Sequence, residues 1–178
     1  MAPGLAGSHI LYNSLKKRDK RRSRYQALIP AECIDMKGIY ILLLKLDRPE
    51  VVLAGRKRQF ALQEGCYGYV GSALSGLENR VRRHLSPTKK LHWHIDFLLA
   101  TARIQKIICA ETDKQMECRV AQSLSKQLAG VTGFGCSDCK CQSHLFYCKE
   151  LSTLEIVVFD AVKSLELTPL VIEQRSSG

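Results

Sequence analysis

From Gly38 the chain runs Ile39-Tyr40-Ile41-Leu42-Leu43-Leu44-Lys45-Leu46, apolar at almost every position. A strand with one wet face alternates polar and apolar residues. An unbroken run of this length, bounded by Gly38 and by Asp47-Arg48-Pro49-Glu50, therefore predicts a strand buried on both faces at the centre of a sheet. The turn composition of residues 47–50 and the apolar positions of 51–54 predict a short antiparallel return strand. Gly65 precedes a third apolar run over residues 66–73, in which Gly68 and Gly71 permit a bulge or close backbone approach near the tyrosines.

Past that run the period changes from two to nearly four. Leu77, Val81 and Leu85 mark the buried stripe of a helix, and Ser75-Gly76-Leu77-Glu78 has the spacing of a capping box at its start. On such a helix Arg80 and His84 lie about one turn apart along the edge of the stripe, while Arg82 and Arg83 point outward. Residues 91–102 predict a second helix that offers Ile95, Leu98 and Leu99 to the core, and residues 104–109 another strand. Thr112-Asp113-Lys114-Gln115 repeats the capping-box spacing before a third helix striped by Met116, Val120, Leu124 and Leu128. Residues 130–141 form a loop rich in glycine and cysteine, and the apolar runs at 144–147 and 154–159 read as edge strands. The expected fold is α+β: a small, mostly antiparallel sheet from the strands near 38, 51 and 67, flanked by helices near 76, 91 and 113. Residues 1–33 read as a basic flexible arm, 34–150 as the domain, and 151–178 as an extension carrying an added strand and a tail.

Composition bounds the function. A chain of 178 residues, 46% hydrophobic, can bury one ordinary core, which excludes wholesale disorder. The net charge of +10 is unevenly placed, since Lys16, Lys17, Arg18, Lys20, Arg21, Arg22 and Arg24 stand against Asp19 alone. Such a run attracts DNA or RNA through counterion release without reading sequence, and a solvated charge run is its plain alternative. Apolar stretches fall far short of the roughly 20 residues a membrane-spanning helix needs. The N-terminus has no apolar core of a secretory signal, so an intracellular site, cytoplasmic, nucleoid or nuclear, is expected rather than secretion. In that setting the eight cysteines are reduced thiols or metal ligands rather than a disulfide framework.

Four groups of residues carry possible chemistry. Glu117 falls within the apolar arc of its helix, and an inward carboxylate needs a partner: a cation that it anchors, a hydrogen-bond network, or an arginine, with an ion pair to Arg80 as the plain alternative. One carboxylate with several waters is a normal way to hold Mg²⁺ or Mn²⁺ beside phosphate oxygens. Arg80 presents a planar fork suited to a phosphate. Tyr40 or His84 would take a proton from water, the tyrosine only with a strongly lowered pKa; strand tyrosines such as Tyr40 and Tyr69 are more often packing residues. Cys136-x-x-Cys139-x-Cys141-x-x-His144 has the donor types of a Zn²⁺ site at tighter spacing than paired knuckles, with reduced cysteines packed in a loop as the alternative. His92 and His94 project to different sides of a helix, so Trp93 flanked by polar anchors is the better reading there than a second metal site.

In order and spacing, Gly38-Ile39-Tyr40, Tyr69-Val70-Gly71-Ser72-Ala73, Leu77-x-x-Arg80-x-x-x-His84 and Glu117 resemble the GIY-YIG nuclease superfamily over residues 37–148. A closer likeness is to a branch of small proteins, sometimes fused to endonuclease III-like glycosylases. Its pattern resembles Tyr69 to Ala73, His92-Trp93-His94-Ile95-Asp96 and Ser137-Asp138-Cys139-x-Cys141-x-Ser143-His144-Leu145. The resemblance implies a DNA endonuclease that cuts one strand by metal-assisted hydrolysis, with damaged or branched DNA as candidate substrates. It implies Tyr40 as general base, Tyr69 positioning water or phosphate, Arg80 stabilising the phosphate, Glu117 as the Mg²⁺ or Mn²⁺ ligand, and His84 where a tyrosine often stands. Lys16, Lys17, Arg18, Lys20, Arg21, Arg22, Arg24, Arg82 and Arg83 are then the nucleic-acid-binding cations. Three departures accompany it. The 28 residues between Tyr40 and Tyr69 exceed the usual short hairpin and imply an insertion over residues 51–63. Ser72 stands where several relatives carry lysine. The late asparagine of many members has no clear counterpart, Ser137, Asp138, Ser143 and His144 being the candidates. These departures fit a second reading, a nucleic-acid-binding module that no longer cuts; a zinc-stabilised interaction domain is a third.

Overall fold

The predicted central strand is β1, Gly38–Leu46, in which all but Lys45 are buried. The structure, a computed structural model, describes Cys33, residues 35–54 and residues 58–173. The basic run at 16–24 and the tail at 174–178 lie outside them. β1 sits between β4 (Gly65–Ser72) and β5 (Arg103–Glu111), antiparallel to both. Outside these pair β7 (Leu145–Cys148) with a two-residue β6 (Ala129–Gly130) on one side and β8 (Leu170–Glu173) on the other. The result is a six-stranded antiparallel sheet of order β6-β7-β4-β1-β5-β8.

Because successive strand residues face opposite ways, β1 feeds two cores. Tyr40, Leu42, Leu44 and Leu46 join one cluster, and Ile39, Ile41 and Leu43 the other. Against the first face pack α1 (Leu77–Leu85), the short α2 (His94–Leu98) and a hairpin of β2 (Glu50–Ala54) and β3 (Arg58–Leu62). Against the second pack α3 (Glu117–Leu124) and α4 (Leu151–Lys163). Each fully buried Leu or Ile of β1 contributes about 2 kcal/mol of apolar burial, so this strand is the main tie between the layers.

The α+β class is as the sequence implies, with several elements placed differently. Residues 51–54 do not join the central sheet: β2 pairs only with β3, in a separate two-stranded ribbon that lays Val52, Phe60 and Leu62 on the core. Residues 154–159 are helical, within α4, where Leu154, Val158, Ala161 and Val162 are buried at helical spacing. The extension after residue 150 thus opens with a helix before it adds strand β8. The second helix covers only His94–Leu98, because the Asp96 carboxylate accepts the amides of His92 and Trp93 at 3.0 Å and closes the turn there. Neither predicted capping box forms. At α1 the Leu77 amide bonds to Met36 O, and Glu78 is drawn to Arg82 one turn on. Before α3, Thr112 Oγ1 accepts the Lys114 amide instead, and Met116 caps the helix without a side-chain bond. Leu128 packs beside the second core but lies beyond the end of α3.

Candidate active site and metal cluster

Tyr40 and Tyr69 come from neighbouring strands on the same face, their ring centroids 6.5 Å apart. Gly71 makes the placement possible: it is the register partner of Tyr40, and a Cβ there would fall inside the Tyr40 ring. The Tyr40 hydroxyl lies 2.7 Å from His84 Nε2. Both residues are buried, and the environment acts on them in opposite directions. Burial pushes the Tyr40 phenol above its usual range although Arg80 pulls it down. Burial, helped by the positive charge of Lys89, lowers His84 to about 3, so its imidazole is neutral at physiological pH. Burial and the neighbouring Tyr40 raise Tyr69 as well.

The two phenols open on a cavity of about 530 Å³, whose wall also carries Ser72, Arg80, Trp93 and Glu117. Four of the five residues singled out for catalysis therefore share one hollow: Tyr40, Tyr69, Arg80 and Glu117. His84 stands behind Tyr40, outside the cavity lining. Arg80 is stacked on Trp93, with its guanidinium carbon 4.5 Å from the ring centroid. Arg83 covers the same indole at 4.1 Å and forks onto Asp96 at 2.8 and 2.7 Å. Trp93 thus orients the cavity arginine, and Arg83, expected to point outward to nucleic acid, is tied into the support of α2. Arg82 is paired with Glu78. Burial, with Arg58 adding to it, lowers the pKa of His94, which keeps Nδ1 free to accept the Gly135 amide at 3.0 Å. That bond brings the glycine-rich loop to the cavity, where Gly135, Ser137 and Asp138 complete the wall. Gly135 adopts φ +72°, open to glycine at little cost, and a Cβ would press on Tyr69 and His144. Of Ser137, Asp138, Ser143 and His144, the first two reach the cavity. Ser143 is buried and bonded to the backbone of Leu145, and His144 lies in the cysteine cluster.

Glu117 has its partner, and it is not Arg80. Among the described residues its carboxylate lies against the imidazole of His144, with Oε1 2.8 Å from Nδ1. The approach lies off the ring's N–H direction, so Nδ1, although buried, makes no well-formed hydrogen bond. On its other side His144 Nε2 stands 3.5 Å from Cys139 Sγ. Cys118, Cys139, Cys141 and His144 bring one donor atom each to within 4.8 Å of one another, a Cys3His group that could hold a metal ion. This corrects the set read along the loop. Cys136 turns instead toward Gln142 O, and Cys118, the neighbour of Glu117 on α3, takes its place. Twenty residues of chain between Cys118 and Cys139 hid that ligand, and the adjoining Glu117 was the only hint. Gln115, which the sequence placed in a capping box, lies instead on the cavity wall.

Fold and site define an α+β protein with a polar cavity between two strand tyrosines and a Cys3His group behind its acidic wall. The family described as Domain of unknown function DUF123 matches residues 39–167, and the chain belongs to it. Comparisons with curated proteins and with solved structures found no match. Among the described residues no helix is long and apolar enough to cross a membrane.

Proposed function

We propose that the protein is a GIY-YIG-type endonuclease, dependent on Mg²⁺ or Mn²⁺, that hydrolyses phosphodiester bonds of DNA in this cavity. The observation that carries the reading is the convergence of Tyr40, Tyr69, Arg80 and Glu117 on one hollow from two strands and two helices. A damaged or branched duplex fits the reading because such DNA offers a distorted backbone to a concave site. RNA shares the phosphate chemistry and is a weaker candidate.

The donors fit a hard cation. Glu117, 22% exposed, and Asp138 present carboxylates to the cavity, and Mg²⁺ is satisfied by one or two carboxylates with waters and phosphate. When bound, such an ion would stabilise negative charge on the leaving oxygen. Arg80, steadied on Trp93, would set its fork against the phosphate and stabilise charge as it develops. The neutral Tyr40 phenol would accept a water proton while handing its own to His84 Nε2 across 2.7 Å, so that no free phenolate accumulates. Burial opposes a lasting imidazolium at His84, which makes the proton transfer a feature of the transition state rather than a stored charge. Tyr69 would order the water or phosphate from the adjacent strand. Zn²⁺ suits the other donor set, three thiols and an imidazole, in a structural role.

Supercoiled plasmid incubated with Mg²⁺, Mn²⁺ or no metal tests the proposal. Open circles are expected only with a divalent ion, and Glu117→Gln should abolish them while the fold is kept. A second reading, a module that binds nucleic acid without cutting, is favoured by Ser72 on the cavity wall in the place of a lysine. Steeply salt-dependent DNA binding with no cleavage in any divalent ion would select it. A zinc-stabilised interaction domain would show neither property.

A further inference from the structure

We propose that Cys118, Cys139, Cys141 and His144 form a closed zinc centre that fastens the loop of residues 131–144 to the start of α3 and, through His144, holds Glu117 at the cavity wall. The metal assignment stands apart from the nuclease reading; only its consequence for Glu117 rests on it.

Geometry comes first. With Zn–S near 2.3 Å and Zn–N about 2.0–2.1 Å, a tetrahedral sphere places a sulfur and a nitrogen about 3.5 Å apart and two sulfurs about 3.8 Å apart. Cys139 Sγ and His144 Nε2 stand at 3.5 Å, and all four donors lie within 4.8 Å of one another, close enough for one ion without moving the backbone far. The donor set is soft and complete. Three thiolates and one imidazole select Zn²⁺ over Mg²⁺ or Ca²⁺, and four protein ligands leave no open position for substrate, as in structural sites.

Next comes the unsatisfied nitrogen. His144 is 2% exposed and pinned by its backbone, its amide to Phe134 O at 2.8 Å and its carbonyl to the Val70 amide at 2.9 Å. Its Nδ1 has no well-formed hydrogen bond, yet Glu117 Oε1 is 2.8 Å away. Nε2 bound to zinc fixes the tautomer with the proton on Nδ1, and a small turn of the carboxylate completes the carboxylate–histidine–zinc arrangement common around such ions. The arrangement gives the buried, unsatisfied His144 Nδ1 a partner in the half-buried Glu117 carboxylate. It also explains why a loop with few hydrogen bonds of its own between residues 136 and 141 stays against the cavity. Cys118 leaves α3 one residue after Glu117, so the same ion fixes both walls: the helix that carries the carboxylate and the loop that carries Gly135, Ser137 and Asp138.

The test uses the full chain purified under reducing conditions without added metal. One zinc per chain is expected, and exchange with Co²⁺ should give the thiolate-to-cobalt charge-transfer band and the strong visible absorption of a tetrahedral site. Alkylation followed by peptide mapping should show Cys118, Cys139 and Cys141 protected in the metal-bound protein and modified after chelation, with Cys136 modified in both. That readout needs no variant to fold. Among variants, Cys136→Ser should keep the zinc and the cobalt spectrum, Cys118→Ser should lose stoichiometric zinc, and Glu117→Gln should weaken zinc binding by about 10-fold or more. Absence of stoichiometric metal, protection of Cys136 in place of Cys118, or a disulfide between any two of the three cysteines would overturn the proposal. None of these outcomes depends on whether the protein cuts DNA.

Discussion

Gly71 faces Tyr40 across the β1–β4 ladder and leaves room for its ring. Gly71→Ala should therefore force ring or strand aside, costing about 2 kcal/mol as overpacking does and lowering the denaturation midpoint. The proposed nicking activity should suffer further, since Tyr40 cannot keep both its place on the cavity wall and its contact with His84. His84 supplies a pH prediction. Its folded-state pKa, about 3, lies below the ordinary histidine value, so between these limits the unfolded chain binds more protons than the folded one. Its contribution is complete above about pH 6.5 and is lost as pH falls toward 3. Urea midpoints measured across that window should drop with acid, and the drop should shrink in His84→Gln, which keeps a polar group beside the Tyr40 hydroxyl. An unchanged acid limb would show that His84 is not held neutral by the fold. Tyr40, Tyr69, Arg80 and Glu117 were legible in the sequence because their order and spacing carry a pattern. The role of Trp93 as a platform for Arg80 was not, since a stacking contact between α1 and the turn before α2 leaves no periodic trace.

At the level of elements, β1 was readable because burial on both faces removes the polar alternation that makes other strands ambiguous. The elements that differ from the sequence reading do so for separate reasons. The run at 154–159 is too short to reveal its period, and only with Ala161 and Val162 does the helical spacing of α4 emerge. Residues 51–54 show the composition of a strand but not its partner, which is β3 in a separate ribbon rather than the core sheet. The second helix was overextended because Asp96 reads as one more polar residue, whereas it is the buried anchor that ends the preceding loop. Burial alone would raise its pKa, but the Arg83 fork and the two amides outweigh burial and lower it. Asp96→Asn should thus leave Arg83 without its carboxylate and loosen α2 from α1. The expected cost is about 3 kcal/mol, the scale for removing one partner of a buried pair, and it should be seen in chemical denaturation with faster amide exchange at residues 92–98. A loss below about 0.5 kcal/mol would mean that packing around Trp93, not the pair, holds the helix, because surface changes fall in that range.

For the whole molecule, the sheet separates two tasks. One face carries the tyrosines, α1 and the β2–β3 ribbon; the other carries α3 and α4. Glu117 and the 131–144 loop meet the tyrosines at the cavity, so the site draws on both sides of the sheet. The proposed zinc centre lies where those sides join, which explains why its fourth ligand sits on a helix rather than in the cysteine loop. It predicts that chelation lowers thermal stability and slackens the loop before the sheet itself opens. The measurement that bears most directly on the account is the rate of plasmid nicking by wild-type protein and by Tyr40→Phe, each in Mg²⁺ and shown by circular dichroism to keep the fold. Nicking by the wild type and a loss of about 100-fold or more in the variant, the scale of a lost general base, is the predicted result. Equal rates in the two proteins, or no nicking by either in Mg²⁺ or Mn²⁺, would contradict it.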